Sequence, residues 1–187
     1  MILSVKERGQ FVATMRHINV WLMETMAGWV PSTPEMEVKL QFGEHLWDAA
    51  QNADALGKRT AELRMPLHHS LPPADEYADF LNTVSGIEPT QQRLAAIYDV
   101  VLPGLSTYYR RFLEKTDSLA DAPTVRILDR QLNDIDRMLQ SNRDMCTELP
   151  DLFLNDQAWI DALRKQEEQC EPVAYSVAET EARAVEA

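Results

Sequence analysis

The chain has 187 residues, 45% hydrophobic and 26% charged, which is enough to bury one core without disulfide or metal staples. Eighteen Lys and Arg against thirty Asp and Glu give a formal charge of −12, a surface that repels phosphate backbones and anionic lipid, so neither a nucleic-acid nor a membrane partner is expected. No stretch approaches the ~20 apolar residues of a membrane helix, the opening residues run from apolar to charged rather than as a secretory leader, and Cys146 and Cys170 form no CxxC, so a cytoplasmic, reducing-compartment protein is expected.

Along the chain, Phe11, Met15, Ile18, Leu22, Met26 and Trp29 recur at 3-4 spacing and predict a first helix over 7–30, stopped by Pro31. Ser32-Thr33-Pro34-Glu35 reads as the start of a second helix, a hydroxyl cap followed by Pro and an acid. That helix should reach about residue 64, roughly 45 Å at ~1.5 Å per residue, with Phe42, Leu46, Ala49, Ala53, Leu56 and Leu63 on its inner stripe. Residues 65–73 are a loop, and 74–84 a short helix crossing one end of the bundle before the break at Gly86. A third long helix is expected over 89–114, bent at Pro103-Gly104, where a backbone hydrogen bond is lost. Pro123 lies in the first turn of a fourth, to about 147, whose Val125, Leu128, Leu132, Ile135 and Leu139 make a bundle seam. A small helix over 156–165 closes the domain at 1–166. Residues 167–187 carry six glutamates and little apolar content, and read as a disordered acidic tail. No segment alternates as a strand does. The layout is all-α: two helix–turn–helix pairs joined by a crossover through 65–88.

Bundles of this layout that hold two metal ions take a carboxylate from each of two helices and Glu-x-x-His from each of the other two. This sequence has no Glu-x-x-His. Asp48-Ala49-Ala50-Gln51-Asn52-Ala53-Asp54 resembles the Asp-Glu-x-x-His-Ala-Asp form of that motif, with Ala49 in place of Glu and Asn52 in place of His. Asp134-Ile135-Asp136-Arg137-Met138 resembles Asp-Glu-x-Arg-His, with Ile135 and Met138 at the ligand positions, and Asp121 to Asp129 is similar to the helix start ahead of it. From about residue 16 to 139 the chain therefore resembles the ferritin-like, diiron carboxylate superfamily. The resemblance implies a ferritin-like four-helix bundle with a short crossover helix, a flexible C-terminal tail and a degenerate metal site. It also implies single carboxylate ligands near 14–18 and 99–102, where only His17 and Asp99 stand. Ala and Ile cannot ligate, and a Met thioether suits Cu(I) rather than iron or manganese, so no cofactor is expected. Ala49 and Ile135 also lie on the apolar stripes, where they read simply as core.

His45, Asp48 and Asn52 share one helix flank. With Asp99 or His17 opposite, they would make a polar pocket or a non-standard iron or manganese site. His68-His69 lie in a proline-rich loop, Cys146 has no histidine nearby, and Arg110-Arg111 can either grip an anion or decorate a helix surface. Trp21, Trp29, Phe42, Trp47, Phe80 and Tyr98 exceed what one small core needs, and Trp21 and Trp29 are the expected interface anchors. The leading expectation is a metal-free, non-catalytic ferritin-like protein that acts by association, as a homodimer or with a related ferritin-like subunit. A divergent metal-dependent oxidase or oxygenase is the alternative, and a binder of an apolar ligand in the bundle interior the second alternative.

Overall fold

The computed structural model describes residues 3–170 and 173–186, and among these every regular element is helical. Helix α1 is Val5–Trp29. The Ser4 hydroxyl accepts the Glu7 N–H and the Glu7 carboxylate accepts the Ser4 N–H, a reciprocal pair that satisfies two otherwise unpaired donors. A 3₁₀ turn at Val30–Ser32 leads to α2, Met36–Glu62. The expected hydroxyl cap of α2 is used differently. The Thr33 backbone N–H and hydroxyl both donate to the Trp29 carbonyl, closing α1, and α2 begins behind Glu35 without a side-chain cap.

The return loop is pressed against both helices. Gly57 is obligatory there: a Cβ would collide with the His68 ring, and the Gly57 carbonyl accepts the His68 N–H at 2.9 Å. His68 itself has φ of 56°. Helix α3, Asp75–Ser85, follows, and its last residue receives the Trp21 indole N–H at 2.9 Å on the hydroxyl and the Trp29 indole N–H at 3.2 Å on the carbonyl.

The third long helix is α4, Thr90–Ala95, continued through a π turn at Ala96–Val101 into α5, Leu102–Lys115. The disturbance expected at Pro103-Gly104 thus falls one turn upstream. Pro103 has no N–H for the carbonyl four residues before it, and the wider turn makes room for the ring. That carbonyl, of Asp99, accepts a hydrogen bond at 3.3 Å from the Arg164 guanidinium of α7, Gln157–Gln169.

Helix α6, Ala122–Glu148, runs antiparallel to α2, and paired residues fix their register: Gln41 with Asn142, Asn52 with Gln131, Arg59 with Thr124. The last of these belongs to a buried cluster. Arg59 meets Asp121 at 2.7 Å, and Asp121, wholly buried, also accepts from the Thr124 and Thr116 hydroxyls.

The expected tail boundary falls inside α7, and the residues beyond it are packed. Glu167 is 5% exposed and accepts the Tyr108 hydroxyl at 2.6 Å. A Cβ at 104 would run into that carboxylate, so any larger residue there would push Glu167 off the Tyr108 hydroxyl. Cys170 and Val173 are buried, and the Val173 carbonyl accepts from Ala74 N–H. Helix α8, Val177–Glu186, is tied back by Arg183 to Asp75 at 3.0 Å. Sparse apolar groups suffice because each finds a distant partner. Residues 171, 172 and 187 of the expected tail lie outside the described residues.

Removing one partner of the Arg59–Asp121 pair leaves a buried charge unmatched. Asp121→Ala is expected to destabilise the fold by about 3–5 kcal/mol in urea unfolding, and Arg59→Met/Asp121→Leu by much less. Equal losses in the two variants would show that the charges are not what the cluster contributes.

Candidate functional site

The residues singled out by the metal-helix resemblance converge on the seam between α2, the π turn and α6. Ala49, Asn52, Ile135 and Met138 are all buried, and Ala49 and Ile135 are at most 2% exposed. The α2/α6 register sets Ala49 level with the turn holding Ile135. Asn52 is engaged: its side chain accepts from Arg130 and its carbonyl from Gln131.

One turn before Ala49, His45 is completely buried, with Nδ1 2.7 Å from the Tyr98 hydroxyl and the rings edge to face. The π turn delivers Tyr98 to this point. Gln41 lies beside the same hydroxyl and donates to Asn142, whose carbonyl oxygen is 4.0 Å from the Cys146 sulfur. A line of polar side chains therefore leads from the interior to a surface cleft of about 260 Å³ bordered by Asp99, Asn142 and Cys146. Burial pushes the His45 pKa down to about 4, with Asp48 opposing and Arg137 assisting, so the ring is neutral at physiological pH. Burial pushes the Tyr98 hydroxyl up, and burial with Asp99 nearby raises the Cys146 thiol, which disfavours the nucleophilic thiolate. His45 Nε2 and Gln131 Oε1 are buried without hydrogen-bond partners. They belong to levels about two helical turns apart, roughly 10 Å, so they do not make one site.

The alternative ligand set is dispersed. Asp48 forms a 2.7 Å ion pair with Arg137 on the outer side of the α2/α6 seam. Asp99 lies within the π turn with its side chain at the surface, its carboxyl raised by partial burial. His17 is half-buried on α1 and lowered by burial, with Glu24 partly offsetting this. Of the four, only His45 and Asp48 are neighbours, one turn apart on α2. Among the described residues no three His, Cys, Asp or Glu side chains are grouped to hold a metal ion. His68, 4.0 Å from Asp54, is a loop side chain stacked over α2 rather than a ligand pair with His69.

The aromatic anchors are corrected too. Trp29 is 4% exposed, packs beside Phe42 and carries the Arg93 guanidinium over its ring at 5.2 Å. Trp21 is half-buried and bonded to Ser85. Trp29 offers no free face, because α3 and α4 extend the core past the end of α1, and Trp21 is only partly exposed. Of the aromatic residues singled out in the sequence, the exposed one is Trp47, 62% accessible, in line with Met36 and Leu40. Their 4-3-4 spacing through Gly43 is legible in the sequence as a second apolar stripe, about 140° from the inner one. Among the described residues no helix is long and apolar enough to cross a membrane. Comparison with family models, with curated proteins and with solved structures finds no match for this chain.

The neutral His45 makes stability pH-dependent with a defined sign. An unfolded histidine titrates near ~6.5 and this one near 4, so the unfolded state binds more protons between them. Its contribution is complete above pH ~6.5 and is lost as pH falls to 4, up to about 3 kcal/mol. His45→Gln keeps an acceptor for Tyr98 and should flatten that part of the stability–pH curve. Parallel curves for the two proteins between these limits would show that the ring is not held neutral.

Proposed function

We propose that this protein is a ferritin-like bundle without a metal centre and that it works by association, as a homodimer formed through the outer face of α2. The ferritin-like part of this reading draws support from the two antiparallel long-helix pairs and from the burial of Ala49, Asn52, Ile135 and Met138 at the positions of the degenerate motifs. The association part is carried by one observation. Met36, Leu40 and Trp47, 61%, 68% and 62% exposed, form a line about 17 Å long on a single straight helix.

Gly43 sits in the middle of that line with open space where a Cβ would be, so a second helix can approach the backbone closely. Charges select the partner and its direction. Lys39 and Glu44 flank the stripe on opposite sides, five residues apart, so a parallel pairing of two copies sets each Lys39 against the other copy's Glu44. An antiparallel pairing would bring Glu44 against itself. Glu44 is 63% exposed, and its present contact with Arg137, at 3.2 Å, is a surface pair of small energy.

Light scattering at micromolar concentration is expected to give twice the chain mass. Trp47→Ala should weaken the dimer by about 2 kcal/mol, roughly 30-fold in Kd, and Leu40→Glu should leave only monomer. Both substitutions are on exposed positions and should leave the melting temperature of the monomer unchanged. A monomeric wild-type protein, or a dimer indifferent to both changes, would refute the reading.

A further inference from the structure

The cleft of about 260 Å³ at the surface end of the His45–Cys146 line lies between α4, the π turn, the end of α6 and the segment behind Pro150. One wall is apolar. Leu94 and Leu152 are buried in it, and Phe153, 61% exposed, borders it from the solvent side. The Gln91 amide donates to the Asp151 carbonyl at 3.2 Å, which ties the segment carrying Phe153 to α4. The other walls are polar. Asn142 is 8% exposed and its amide oxygen is taken by Gln41, while its N–H₂ has no acceptor among the described residues. A donor so nearly buried costs free energy until an acceptor reaches it. Asp99 and Arg143 border the cleft from different elements, the π turn and α6. Partial burial raises the Asp99 carboxyl, and Arg164 and then Arg143 oppose this, yet among the described residues no ion pair joins that carboxylate to either guanidinium. Arg164 is paired with Asp161 at 3.0 Å and does not line this cleft. Arg143 donates one N–H to Gln140 at 2.8 Å, and the rest of its fork is unengaged among the described residues. The Cys146 thiol, raised by burial, stays neutral at physiological pH and adds no charge.

We propose that this cleft binds a free apolar α-amino acid: its ammonium at Asp99, its carboxylate between Arg143 and the Asn142 N–H₂, and its side chain against Leu94, Leu152 and Phe153. The volume equals about nine waters at ~30 Å³ each, room for an amino acid of leucine or phenylalanine size. A zwitterion matches both charges at once, across a gap in which they do not match each other. A carboxylic acid without the ammonium leaves Asp99 facing like charge, and an amine without the carboxylate does the same to Arg143. The apolar wall contributes affinity by burying the side chain, and it rejects a polar one, whose groups would lie there without partners.

Isothermal titration of the full chain with L-phenylalanine, 3-phenylpropionate and 2-phenylethylamine tests this, and the comparison of the three needs no variant. L-Phenylalanine is expected to bind at least about tenfold more tightly than either analogue. L-Leucine should bind as well, and L-glutamine, of similar size, should not. Arg143→Gln should bring L-phenylalanine down to the affinity of 2-phenylethylamine, and Asp99→Asn down to that of 3-phenylpropionate. Phe153→Ala should weaken all three. The three substituted side chains are exposed, and unchanged thermal melting of the unliganded variants shows that each is folded. No binding of L-phenylalanine at millimolar concentration, equally tight binding of either analogue, or L-phenylalanine binding that survives both charge substitutions would each overturn the assignment. The dimer measurement is independent of these, since Met36, Leu40 and Trp47 do not line this cleft.

Discussion

The polar register between α2 and α6 is the constraint on which the rest of the molecule depends. Apolar stripes alone tolerate sliding by a turn, because one leucine fits another's place at small cost. Gln41 with Asn142, Asn52 with Gln131 and Arg59 with Asp121 do not, since a slip would strand buried amides and a buried guanidinium. The three pairs are spread over most of the length of α2, so they fix both its axial position and its rotation. With α2 fixed, α1 is placed by their shared apolar face, and His45 is set where Tyr98 can reach it.

The second half of the chain is organised around a deficiency rather than a preference. Pro103 withholds one hydrogen bond from a long helix, and the π turn, the Arg164 contact to Asp99 and the position of α7 follow from it. Glu167 then enters over Gly104 to Tyr108, which seats the C-terminal residues against the body of the protein. A carboxyl that burial raises above its usual range is the electrostatic consequence, moderated by the Tyr108 hydrogen bond.

Much of this was legible in the sequence. The long helices were, because 3-4 spacing and the prolines at 31, 66 and 123 are local signals that no distant contact overrides. The burial of Ala49 and Ile135 followed from the same spacing, whichever reading of the motifs is preferred. What escaped the sequence depends on partners far along the chain. Trp29 looks unsupported at the end of its helix, yet Ser85 and Arg93, more than fifty residues on, complete its surroundings. Residues 167–170 and 173–183 look too polar to order, yet Tyr108, Ala74 and Asp75 hold them at single points. Tyr98 was visible only as one aromatic among several, because its pairing with His45 depends on a turn geometry that composition does not encode.

The π turn also governs how this chain can change in length. A wide turn holds one residue more than the α-helix it interrupts, so losing one residue between 96 and 101 would scarcely shorten the helix. Nor would it turn what lies beyond, because a regular helix covers the same arc with one residue fewer. Phe112 would still stack on Phe11, and the Tyr109 hydroxyl would still accept the Asn19 amide that it meets at 2.8 Å. What would go is the delivery of Tyr98 to His45. Elsewhere in residues 90–115 one residue fewer would rotate everything beyond it by about 100°, so the wide turn is where this helix can lose a residue and keep its register.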